Sequence, residues 1–87
     1  PKGVLLTHGG QLWNAGVMRR ALDVAPDDRA LVAAPLAHKN AMIAAVKPFL
    51  LAGAALVLLP AFDAAAAVRA VARHRVTYLT GVPAMYA

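Results

Sequence analysis

The sequence predicts an α/β fold in which alternating strand-helix units form a mainly parallel sheet, and three observations carry the prediction. Short apolar runs alternate with segments of helical periodicity about 10–15 residues long. One run, residues 54–59, contains no polar side chain, as expected of a strand covered on both faces of a parallel sheet. Turn-forming residues stand at the boundaries, among them Pro26-Asp27-Asp28, Gly53, Pro60 and Gly81. Strands joined through helices imply right-handed crossovers, with the helices packed on the sheet faces.

Each element follows from local chemistry. Val4-Leu5-Leu6 reads as a first short strand that ends at Thr7-His8-Gly9-Gly10. A helix is predicted from Gln11 to about Leu22, with Leu12, Ala15 and Leu22 on one face, Trp13 in the core, and Arg19 and Arg20 late, where cations suit the helix dipole. Residues 25–28 form a turn and residues 30–35 a second strand, stopped by Pro35. Asn40 is the expected N-cap of the next helix, whose buried stripe is Met42, Val46, Phe49 and Leu50. Pro48 is awkward within it, because an interior proline removes a donor and kinks the helix. Gly53 supplies a C-terminal stop before the strand at 54–59. Asp63 caps a third helix with Val68, Val71 and Ala72 inward and Arg69 and Arg73 outward. Residues 76–80 form the last strand, closed by Gly81-Val82-Pro83, and a helix begins over 84–87.

Bulk properties narrow the function. The 87 residues are expected to form a piece of one domain, because Pro1-Lys2-Gly3 opens the chain without an initiator Met. The hydrophobic fraction of 61% and mean hydropathy of +0.60 fit a slice of a larger core. No cysteine is present, which excludes a disulfide framework and thiolate metal sites. The net charge of +5 raises a nucleic-acid partner, yet the nine Lys and Arg are scattered and aromatics are few, so solvated helix backs explain them. AMIAAVKPFLLAGAALVLLP is interrupted at Lys47-Pro48 and at Gly53, too early for a transmembrane helix. There is no signal-peptide pattern, and the three histidines lack metal-ligand spacing.

In a parallel sheet, ligands bind beyond the strand C-termini. Here that rim is Thr7-His8, Pro35-Leu36-Ala37-His38, Pro60-Ala61 and Gly81-Val82-Pro83. Around it PKGVLLTH resembles the end of the phosphate-loop signature of the adenylate-forming superfamily. LVAAPLAH is similar to that family's strand ending in Pro-x-x-His, GAALVLLPAFD to its next strand and Phe-Asp cap, and VTYLTGVPAMYA to its strand closed by Gly-Val-Pro. Asn14 also falls where many members carry asparagine. The resemblance covers residues 1–87 as a fragment of one AMP-binding domain, part of the large N-terminal domain of an acyl-CoA synthetase.

The resemblance implies a two-step ligase that activates a carboxylic acid, here a fatty acid, with ATP and Mg2+, then transfers the acyl group to coenzyme A. It assigns Lys2 to the ATP phosphates, where a point charge opposes negative charge built on the leaving pyrophosphate. It assigns His38, Gly81, Val82 and Pro83 to the acyl pocket. It assigns no catalytic side chain and no protein metal site to this stretch. Ala37, Lys39 and Ala41 depart from the family pattern around the His38 position. The fragment alone is expected to be inactive, and the whole enzyme cytoplasmic or peripheral to a membrane. Two alternatives stand beside this reading: a peptide-synthetase adenylation domain, and a non-enzymatic basic α/β module that binds nucleic acid.

Overall fold

The computed structural model describes residues 2–37, 39–81 and 85. Helix α1 spans His8–Ala21 and strand β1 Arg29–Val32. A continuous helical stretch follows, made of α2 (Lys39–Ala41), a π-helical turn (Met42–Val46) and α3 (Lys47–Ala52). Strand β2 (Ala55–Leu58), helix α4 (Ala64–His74) and strand β3 (Tyr78–Thr80) complete the order. The sheet order is β2-β1-β3 and both pairings are parallel, with Ala30 opposite Leu56 on one side and Tyr78 on the other.

This order dictates which face each helix takes. The crossover from β1 to β2 and the crossover from β2 to β3 move in opposite directions across the sheet. With right-handed connections they must therefore lie on opposite faces. Side-chain parity agrees. Ala30 and Val32 join Ala41, Ala45, Phe49 and Ala52 in the main core, whereas Leu31 and Ala33 line a small cavity with Ala67 and Val68 of α4. The central strand is covered on both sides, and residues 30–33 are buried.

Several local expectations hold. The Asp63 carboxylate accepts the Ala66 amide at 3.0 Å and starts α4. Gly53 ends α3 in the left-handed region at φ 74°, a conformation that costs a glycine nothing. Strands β1, β2 and β3 lie within the predicted runs 30–35, 54–59 and 76–80, except that β1 begins one residue earlier.

Others are corrected. Residues 4–6 are not a strand: no described strand pairs with them, and Leu5 is fully exposed. Helix α1 starts at His8 because Thr7 caps it, its Oγ1 accepting the Gly10 amide at 2.9 Å. A Cβ on residue 10 would sit 2.9 Å from that oxygen, so a larger residue there would require the Thr7 side chain to shift. Trp13 and Leu12 lie on the surface, since α1 packs mainly on α3 and the π turn and buries only Ala15. The apolar strand β2 is an edge among the described residues, and Leu58 is exposed rather than covered on both faces. On α4 it is Ala70 that is buried, while Val68, Val71 and Ala72 are exposed.

The predicted stripe Met42, Val46, Phe49 and Leu50 is also shifted in phase. The buried positions are Ala41, Ala45, Pro48, Phe49 and Ala52, and Leu50 faces outward. Small alanines bring the helix close to the sheet. The Lys47 amide donates to the Met42 carbonyl, five residues back, which defines the π turn. Pro48 follows at once. Its ring would press on the carbonyl four residues back and it has no N–H to offer, and a widened turn relieves both problems.

At the opposite edge from the rim, Asp28 ties β3 to β1. Its carboxylate accepts the Ala25 amide at 2.7 Å and the Thr77 hydroxyl at 2.8 Å. The Arg29 amide donates to Thr77 Oγ1 at 2.9 Å, and its guanidinium to the His74 carbonyl at 2.9 Å. The Ala25 amide first, then the Thr77 hydroxyl, hold the Asp28 carboxyl below the ordinary aspartate value. Because the folded value is depressed, this clamp's contribution to stability is present above about pH 4. It fades as pH falls through the folded-state value. Asp28→Asn is expected to lower the urea midpoint at pH 7, and the gap from wild type should narrow at pH 3. A gap equal at both pH values would contradict the clamp.

Candidate functional site

Chain direction determines where the ligand-facing surface forms. The segment after β1 turns into α2 on one face of the sheet, while the segment after β2 turns into α4 on the other. Two adjacent strands whose exits diverge in this way leave a crevice at their C-termini, the topological switch point of an open α/β sheet. The crevice is present. A cavity of about 330 Å³ lies between Val32, Pro35 and Leu36 on one side and Leu58, Leu59 and Pro60 on the other. A second, of about 410 Å³, adjoins it and is bounded by Ala33, Pro35, Ala61, Phe62 and Met85. No charged side chain lines either one. This part of the rim is chemically suited to an apolar group, not to phosphates.

The polar elements lie to either side. Thr80, the last residue of β3, is buried, and its hydroxyl donates to Asn40 Oδ1 at 2.7 Å. Gly81, from the sequence-predicted set, follows directly and is half-buried. Lys2 is exposed in an irregular segment before α1. Helix α1 ends eight residues before β1 begins, so its C-terminal end is at the strand N-termini. His38, Val82 and Pro83 lie outside the described residues.

Other ionisable groups are elsewhere. His8 opens α1 beside a groove shared with α3, where Lys47 donates to the Gln11 side-chain oxygen. A cavity of about 640 Å³ runs along α4 from Leu59, just after β2, past Arg69 to Arg73 and His74. Among the described residues no group of three His, Cys, Asp or Glu could hold a metal ion, and no helix is long and apolar enough to cross a membrane.

The sequence pointed to the rim but missed four of its residues. Asn40 was expected only to cap a helix, yet it sits inside α2 and its side chain reaches across to Thr80. Strand alternation could have placed Thr80 on the Tyr78 face, toward the α2–α3 stretch. Phe62 and Met85 carried no signal beyond hydrophobicity.

An open parallel sheet with an apolar switch-point crevice defines the chain as part of an α/β domain. A family model described as AMP-binding enzyme matches residues 1–87, and the chain belongs to that family. Feruloyl-CoA synthase of Amycolatopsis sp is 48% identical over 86 residues, spanning 99% of this chain and 18% of that enzyme. Indoleacetate–CoA ligase of Aromatoleum aromaticum is 40% identical over 84 residues, spanning 97% of this chain and 16% of that enzyme. The structure of O-succinylbenzoate coenzyme A synthetase (MenE) from Bacillus subtilis, in complex with ATP and magnesium ion, matches with a TM-score of 0.86 at 30% identity. That match covers 98% of this chain and 18% of the MenE chain. The chain therefore spans less than a fifth of the length of these relatives.

Proposed function

We propose that the chain is part of an AMP-forming acid–CoA ligase and contributes the acid-binding end of its site. The observation that carries this is the apolar crevice at the switch point, in a chain matched by the family over residues 1–87. In the first step a carboxylate oxygen of the acid attacks the α-phosphorus of ATP, forming acyl-adenylate and releasing pyrophosphate. In the second the coenzyme A sulfur attacks the acyl carbon, the thiol gives up its proton, and AMP leaves. Lys2 lies on the phosphate side, where its charge offsets that of the departing pyrophosphate. His38 gates the acid, and Gly81, Val82 and Pro83 form one wall of the acyl pocket. Magnesium enters on the phosphates of ATP.

The acid class deserves a finer statement. The sequence favoured a fatty acid, but the relatives at 48% and 40% identity are named for feruloyl and indoleacetate groups, both aromatic, while a sulfoacetate–CoA ligase is 36% identical. The rim side chains agree better with a flat ring. Phe62 and two prolines, Pro35 and Pro60, bound the space and offer flat faces for a ring to lie against. We read the substrate as an arylalkenoic or arylalkanoic acid. The test is a panel of cinnamate-type, arylacetate-type and C8–C16 fatty acids given to the full-length protein with ATP, Mg2+ and coenzyme A. AMP release should be at least about tenfold faster with the aromatic acids, the margin a well-filled apolar pocket provides. A preference for fatty acids would overturn the aromatic reading. Acid-dependent adenylate formation with no thioester on adding coenzyme A would point to a carrier-protein acceptor.

A further inference from the structure

We propose that the Thr80–Asn40 hydrogen bond is the positioning contact for the acid end of the rim, and that the π turn at Met42–Val46 is what aims Asn40 at it. The inference rests on the function proposed above and adds to it two residues that touch each other, not the reacting atoms. Three observations carry it.

The first is where the bond runs. It joins residues 40 positions apart in the chain, across the space between the segment after β1 and the end of β3. Asn40 stands two residues after His38, and Thr80 stands immediately before Gly81-Val82-Pro83. One contact thus links the two stretches that carry every residue assigned to the acid.

The second is its chemistry. Thr80 is the one buried polar residue found among the described residues. Its neighbours in β3 are Tyr78 and Leu79, and an isosteric valine would suit a strand as well without burying a hydroxyl. Asn40 is a poor helix former, and its side-chain oxygen accepts from a strand across the core face. A buried hydroxyl and a helical asparagine, matched at 2.7 Å, are explained by what they hold in place.

The third is the backbone. A π turn inserts one residue into the α spacing, and one residue is about 100° of helix rotation. The turn lies between Asn40 and α3, which is anchored by Phe49 under the sheet. Relative to that anchor, the widened turn re-aims everything before it, and Asn40 comes to face β3. Had the helix run on in α phase, Asn40 would be turned away from Thr80.

The test uses the full-length protein as wild type, Thr80→Val, Thr80→Ser and the double variant Thr80→Val with Asn40→Leu. Thr80→Val is expected to raise KM for the acid about tenfold while KM for ATP stays within about twofold. Thr80→Ser restores the donor and should bring the acid KM back near wild type. The double variant should be no worse than Thr80→Val alone, because the two side chains act as one unit. Hydrogen exchange gives a second readout: in Thr80→Val the amides at 36–42 should exchange faster while those of α4 are unchanged. Equal KM values in Val and Ser variants, or KM for acid and ATP rising together with a falling Tm, would overturn the positioning role. A wild-type protein that forms no AMP with any acid would sink the function instead. In that case unchanged exchange at 36–42 would still reject the contact, and faster exchange would retain it.

Discussion

Phe49→Ala is expected to destabilise the protein by about 3–5 kcal/mol, the cost of removing a fully buried aromatic ring. Phe49 is 1% exposed, and its ring lies 5.2 Å from that of Tyr78 at a 41° tilt. The same core cluster holds Ala41, Ala45 and Ala52 of its own helical stretch, which have no rotamers with which to fill the void, besides Val24 and Val32. Stability of a typical domain is only about 5–15 kcal/mol, so this single change should bring the fold near its limit. Urea unfolding of the full-length protein, together with soluble yield, measures it. Phe49→Leu should recover roughly half of the loss, as a smaller cavity costs less. A loss under about 1 kcal/mol would mean that the sheet and the α2–α3 stretch are held together by something other than this ring.

Lys2→Ala should have the largest effect on activity. With the acid saturating, kcat/KM for ATP is expected to fall about 10²-fold, the scale of losing one charge aimed at a developing anion. KM for the acid should hardly move. Lys2 is exposed, so its replacement leaves the core untouched and Tm should stay at the wild-type value. Lys2→Arg keeps the charge but spreads it over a planar fork, and partial activity is the expected result. Wild-type kinetics in Lys2→Ala would make this residue an ordinary surface lysine.

The architecture was legible wherever one residue type has one physical use. Asp63 before a run of alanines and Gly53 after an apolar helix could hardly mean anything but a cap and a stop, and both stand where expected. Alternation of strand and helix led to the parallel sheet and hence to its rim. Hydrophobicity was less informative, because it reports a side chain that tolerates burial and not the neighbour that provides it. Val4, Leu5, Trp13 and Leu58 are apolar, yet nothing among the described residues covers them. Pro48 announced trouble within a helix but not its remedy, since a kink, a break and a π turn all accommodate a proline. The phase error at Leu50 follows from that ambiguity. Asn40 was hidden for a related reason: capping is a local signal, whereas its bond to Thr80 depends on two strands and a turn being in place first. Of the site itself, the rim could be read ahead of the structure from the order of strands and helices. The apolar crevice beside Phe62 and Met85 could not, because these residues meet only through the fold.

The account depends on one placement, the acid bound at the C-terminal ends of β1, β2 and β3. An aromatic acyl-adenylate analogue bearing a diazirine on its ring, photolysed in the full-length protein and mapped by peptide sequencing, tests it most directly. Label is predicted on residues 33–40, 59–62 and 80–85, and competing free acid should remove it. Label concentrated instead on the arginine-rimmed groove of α4, at residues 69–74, would contradict the placement.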